Sequence, residues 1–499
     1  MLEKSDRFFA VIIIALFCFA VTVCDLGPDG PVPLTYEEAV KKVTFTGDVA
    51  TVDFTNLNLH DIYLVMINSS NSTVPSAGTG GVAQALSVIA SDRSRSVGFS
   101  ADIVSFRVGD KKSFWVERNI RGGNWEQRPA TLMAAGEHGN IWVMEANTSS
   151  GTSENKISTE QAEELVGKFD LIYPLTTNLL GYEYGGGEDG DGGMDLDKKI
   201  QILVYDFYEP GYGAGGTQYT GYFYYKDFYT QAELEIKNWS DKTNMAEMFY
   251  INASSLINSP DFIYSTLIHE FQHMINFNRK LVVHNENSST WYNEMLSMMA
   301  EDVIAPLIGI GHTHPSHPIS RRIPVFLDLY YRYGIIEWNN SNNNYANVYA
   351  FGAYLLRNYG GPELLKRLLD NDKVDLESIT LALEEFSEGM DFTHALNRYG
   401  EALIFSGPLM PDGAASFDRT VTSTVNGQVY TAYGFDIWQM SRREASGLGP
   451  LVLGFEGASM RPLSMIVRSD GQWKGKTGDF SITLKKPSNQ NVILYLMAR

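Results

Sequence analysis

Cysteine is nearly absent from this chain: among 499 residues only Cys18 and Cys24 carry thiols, and both stand before residue 25. The rest of the chain can build neither a disulfide framework nor a thiolate metal site, so any metal must be held by His, Asp and Glu. Positive charge is also scarce, with 39 Lys and Arg against 59 Asp and Glu and a formal net charge of −20. That sign is wrong for neutralising a phosphate backbone and excludes nucleic acid as a partner. Past the first 24 residues there is no apolar run long enough to span a membrane, and no repeat of fixed period. What remains is ordinary globular material, 44% hydrophobic and 20% charged, enough for several domains with substantial cores.

Residues 1–24 read as an address. Lys4 and Arg7 precede an apolar run from Phe8 to Val23, interrupted only by Thr22. At about 16 residues the run is short of the roughly 20 a spanning helix needs, and it has the order of a signal peptide. It ends in VTVC before Asp25, which resembles a bacterial lipobox, although Val23 departs from the small residue usual at that position. The resemblance implies a lipid on Cys24 and a protein exported to the cell envelope, touching the membrane through that lipid; the other outcomes are a secreted form or an uncleaved anchor.

Residues 25–138 supply runs such as VTFTGDVATVDF and IYLVMI, read as strands of a β-rich N-terminal region. From 139 to 406 strands give way to helices: Thr159 to Leu180 is amphipathic, Ile200 to Tyr208 reads as a strand, and helical patterns dominate from Phe262 to about Phe405. Residues 407–499 return to short strands and read as a C-terminal β domain.

The chemistry is concentrated in STLIHEFQHMINF. His269 and His273 stand four residues apart, on one face of a helix, so both imidazoles can reach one metal ion, and Glu270 beside them can face a water on that ion. Leu267, Ile268, Phe271, Met274 and Ile275 would bury such a helix, and neither Pro nor Gly interrupts it between Asp261 and Lys280. A hydrolytic zinc site takes three protein ligands and keeps one position open. The next helical pattern, WYNEMLSMMAED, carries two candidates for the third ligand, Glu294 and Glu301. A third histidine six residues after His273 is ruled out, because Arg279 stands there.

HEFQHMINF followed by WYNEMLSMMAE resembles the hyicolysin-like neutral zinc metallopeptidases, and Asn293-Glu294 resembles the start of the second helix in thermolysin-like gluzincins. The likeness extends over roughly residues 139–360. It implies an α+β fold with a thermolysin-like zincin catalytic domain, flanked here by the β-rich N- and C-terminal domains. It also implies zinc on His269, His273 and Glu294, and an endopeptidase acting on proteins or peptides through a zinc-bound water activated by Glu270. Glu301, two turns on along roughly the same face, reads either as a partner behind a ligand or as a solvated surface carboxylate. Gluzincins often add a Tyr or His donor for the tetrahedral intermediate, and Tyr345 and Tyr349 are the candidates. Met295 departs from the family, which usually has Gly after Asn-Glu, and its bulk is expected to narrow the cleft.

Two weaker features remain. His312, His314 and His317 in GHTHPSHP read as loop histidines or as a substrate or second metal site, and Asp189, Asp191, Asp195 and Asp197 alternate as in a calcium loop, without the closing Glu of an EF-hand. Two rivals stand against the endopeptidase: a non-catalytic surface binding lipoprotein on a peptidase-like scaffold, and a metal-dependent hydrolase of non-peptide bonds. The four intact residues His269, Glu270, His273 and Glu294 argue against the first.

Overall fold

A computed structural model describes residues 32–75, 105–117, 123–207, 219–455 and 459–499. The leader and Cys24 lie outside the described residues, as does the lipidation expected there. Among the described residues no helix is long and apolar enough to cross a membrane.

The α+β expectation holds at the level of a mixed architecture. Its centre is a six-stranded sheet made of β1 (Lys111–Glu117), β2 (Trp125–Ala135), β3 (Gly139–Met144), β4 (Ile200–Tyr205), β5 (Gly221–Phe223) and β6 (Met248–Asn252), in the spatial order β1-β2-β3-β4-β6-β5. β3, β4 and β6 are parallel and completely buried, which is why NIWVM, IQILVY and MFYIN are almost continuously apolar. Their alternate residues serve two cores. Ile141, Val143, Ile202, Val204, Phe249 and Ile251 join the main core with the helices, whereas Trp142, Met144, Leu203, Met248 and Tyr250 pack with Phe114 and Val116 of β1. The edge strand β5 runs antiparallel to β6.

Five helices matter for the site: α1 (Thr159–Leu180), α2 (Pro260–Asn276), α3 (Thr290–Ile304), α4 (Pro318–Leu329) and α5 (Asn342–Asn358). α2 opens on Pro260, with Asp261 in its first turn, and buries Ile263, Leu267, Ile268, Phe271, Met274 and Ile275. It ends at Asn276 and continues as a π-helical stretch, Phe277–Val282. α3 and α5 pack closely at Gly352, where an added Cβ would come within 2.7 Å of Met299 Cγ and 2.9 Å of Met295 Cγ. The bulk of Met295 is therefore spent in this helix–helix contact: the side chain is wholly buried and does not narrow a cleft.

The flanking β regions are organised differently from the three-part division drawn at 138/139 and 406/407. The first boundary falls inside the β2–β3 hairpin, and both β1 and β2 belong to the central sheet. Strands from the two ends of the chain share a four-stranded antiparallel sheet: Val40–Lys42 pairs with Val492–Ala498, which pairs with Ile62–Asn68, which pairs with Met465–Arg468. Val49–His60 likewise pairs with Lys476–Lys485. Alternation in sequence marks a strand but not its partner, and these partners lie about four hundred residues away.

Candidate metal centre

The α2 face presents His269 and His273 toward Glu294 of α3, and the three ligand atoms lie within 4.8 Å of one another. Glu294 Oε2 is 3.0 Å from His269 Nε2 and 3.7 Å from His273 Nε2, and the two imidazoles meet edge to face at 4.7 Å. Two nitrogens and a carboxylate at this spacing suit zinc with one coordination position left open. Among the described residues this is the one group of three or more His, Cys, Asp or Glu side chains that converges in this way.

Each imidazole is gripped from behind. His269 Nδ1 lies 2.8 Å from Glu301 Oε1, while Glu301 Oε2 accepts from Ser265 Oγ at 2.5 Å and from Arg321. Behind His273, Nδ1 lies 3.0 Å from Ser297 Oγ, whose other partners are Gln272 Oε1 and the Asn293 carbonyl. These contacts direct Nδ1 of each ring to its support and turn both Nε2 atoms toward Glu294. Burial would lower His269, but its hydrogen bonds to Glu294 and Glu301 push it up to about 10, so a metal at its Nε2 would replace the proton shared with Glu294. Burial would lift the Glu301 carboxyl, but Arg321 and His269 hold it down at about 2, so it stays ionised. Burial pushes His273 down to about 4, which keeps that imidazole neutral.

Glu270 is buried, and burial pushes its carboxyl up to about 7; the backbone amide of Phe223 on β5 works in the opposite direction. The edge strand comes this near only because residue 221 is glycine. A Cβ at Gly221 would stand 2.6 Å from Thr266 Cγ2 and 3.2 Å from Glu270 Cγ.

The two candidate tyrosines separate. Tyr345 OH donates to Glu294 Oε1 at 3.2 Å, at the site, and its ring is met edge-on by Trp338. Tyr349, one turn on, is fully buried and donates to Asp302 Oδ2 at 3.0 Å, in a network with Arg357 that has no exposed surface. It cannot touch a substrate, which corrects its candidacy. The loop histidines do not converge either. His312 stacks on Tyr433, His314 lies 3.5 Å from Asp261, and buried His317 caps α4 by accepting from the Ile319 amide.

The acidic loop also spends its carboxylates locally instead of directing them at one point. Asp189 is exposed, Asp191 accepts from the Gly193 amide, Asp195 from the Asp197 amide, and Asp197 from Asn140 and Gln201. The loop is closed by a residue that sequence reading passed over: buried Glu247 accepts the Met194 amide on both oxygens, and burial pushes its carboxyl up to about 9. Between its unfolded value near 4.5 and about 9 the folded chain binds the extra proton. Its contribution is therefore complete below the lower value and is lost as pH rises through the upper one. Glu247→Gln should melt like the wild type near pH 5 and be more stable at pH 9, by on the order of 1–3 kcal/mol. Thermal melts at the two pH values check this, and a difference that does not grow with pH would refute it.

A helix bearing the HExxH pair, crossed by a second helix that brings a glutamate, defines the class of HExxH metal sites with a carboxylate third ligand. The chain belongs to the Peptidase M30 family, which it matches over residues 126–425, more than half its length. It is also similar to the neutral metalloprotease ShpI of Staphylococcus hyicus, with 27% identity over 296 residues. That alignment covers 56% of this chain and 59% of ShpI, so the chain spans little more than half of the relative it matches.

Proposed function

We propose that this chain is an exported, zinc-dependent endopeptidase acting on protein or peptide substrates. The observation that carries the reading is the convergence of His269, His273 and Glu294 from two crossing helices, with Glu270 beside them. Zinc held there supplies a Lewis acid that polarises a carbonyl and acidifies water. Glu270 takes the proton of the attacking water and returns it to the leaving nitrogen. The Tyr345 hydroxyl, held at Glu294, is the donor available to the oxyanion that develops on the substrate carbonyl. Glu301 with Arg321, and Ser297 with Gln272, keep the imidazoles in register. Past Trp338, which packs on Tyr345, lies an open groove of about 610 Å³ lined by Trp291, Ile336 and Val374.

The leader and Cys24 support export with a lipid anchor. The full-length protein should partition with membranes, Cys24→Ser should release it, and the purified enzyme should carry one zinc and cleave casein. Stoichiometric zinc with casein and a broad peptide library left uncut would overturn the peptidase reading in favour of a binding lipoprotein.

A further inference from the structure

Arg321 and Arg322 are consecutive in α4 and have opposite fates. Arg321 is spent: it donates to Glu301, its Nε donates to the Ser316 carbonyl at 2.7 Å, and its guanidinium lies 4.3 Å from the centre of the Phe262 ring. Arg322 makes no hydrogen bond and no ion pair with any described residue, and its Nε is enclosed without an acceptor. Its one contact of note is with Tyr345, whose ring centre is 4.9 Å from the guanidinium carbon. A stack on an aromatic face uses none of the five N–H donors, which point outward in the guanidinium plane.

A partly buried, unpaired cation costs stability: fully buried Arg357 is paired with Asp302 and Arg398 with buried Glu401, while Arg499, whose Nε likewise lacks an acceptor, stacks on Trp438 at the end of the last strand. The unpaired guanidinium also stands at a telling place. Only the Tyr345 ring separates it from Glu294, since the other end of that ring donates to Glu294 Oε1 at 3.2 Å. Both Glu294 and Glu301 act on its charge, but neither is within ion-pair distance. The planar fork of an arginine matches a carboxylate in two parallel hydrogen bonds, which a lysine cannot reproduce. In a chain of net charge −20, acidic substrates are otherwise repelled, so a local cation at the site acts directly on selectivity.

We propose that Arg322 is a specificity-determining residue that anchors a carboxylate of the peptide substrate close to the bond that is cut. An extended chain advances about 3.3 Å per residue, which places that carboxylate within about two residues of the scissile bond. It comes either from an acidic side chain or from the free C-terminus of the substrate. The inference rests on the peptidase reading and adds to it the substrate class.

The test uses zinc-loaded full-chain enzyme and quenched peptides in which Glu and Gln are exchanged at each of the two positions on either side of the cut bond. A second peptide set compares free-acid with amidated C-termini. At one position, or at the terminus, the wild type should favour the carboxylate form by about 10–100-fold in kcat/KM, mostly through KM. Arg322→Gln should bring that ratio to near one, and Arg322→Lys should retain part of it. The same ratio should appear in equilibrium binding of labelled peptides to the Glu270→Gln protein, which requires no turnover. The proposal is overturned if the wild type shows no carboxylate preference at any position, or if Arg322→Gln slows both members of every pair equally while its melting temperature is unchanged. Casein left intact by the wild type, with the binding ratio preserved, would instead remove the peptidase reading and leave Arg322 a carboxylate anchor.

Discussion

Glu270→Gln should hold as much zinc as the wild type, one equivalent being expected for each, and cleave casein about 10²–10⁴-fold more slowly. The reason is positional. The Glu270 carboxyl lies close enough to His269 and Glu294 for their charges to act on it but is not one of the three groups whose ligand atoms converge, so an isosteric amide leaves the ligands and their supports untouched. What is lost is a base enclosed by burial, held between the helix and the edge strand at Gly221 and Phe223. Zinc content by atomic absorption and casein hydrolysis on the same sample decide the matter. Unchanged hydrolysis, or loss of zinc along with activity, would remove Glu270 from the role of base.

The second large effect separates two glutamates seven residues apart on α3. Glu294→Ala should lose the metal and with it all activity, because two histidines alone do not hold zinc in such a site. Glu301→Gln should retain the metal with affinity reduced by about 10–100-fold, as is typical when the group behind a ligand is changed. The amide is the better probe here than alanine, since truncation would strand Arg321, Ser265 and His269 Nδ1 together in a buried position. Competition with a chromophoric chelator gives both affinities. If Glu294→Ala binds zinc more tightly than Glu301→Gln, the ligand role passes to Glu301.

The positions of these two residues show where sequence reasoning stops. At a separation of seven both point along the same helix face, so spacing alone left them as rivals for one role. The crossing of α2 and α3 gives them opposite sides of one imidazole, Glu294 at Nε2 and Glu301 at Nδ1. The tyrosines divide for a similar reason. Four residues along α5 is a single turn, yet that turn carries the side chain from the metal site into the Asp302–Arg357 network. Arg321 and Arg322 left no trace in the sequence, because nothing in PISRRIPVF tells which arginine meets a carboxylate.

What the sequence determined by itself is whatever depends on neighbours within one helix or strand. The 3.6-residue period placed His269 and His273 on one face, the apolar positions of α2 buried that helix, and the absence of cysteine beyond residue 24 confined any metal to nitrogen and oxygen donors. Tertiary structure alone decided which groups converge and which strands pair. Helix crossing sets distances between residues that no local period relates, and sheet pairing joins Ile62–Asn68 to Val492–Ala498 across nearly the whole chain. Side-chain alternation is the same for every partner a strand could take, so the partner is selected only when the complete core is assembled.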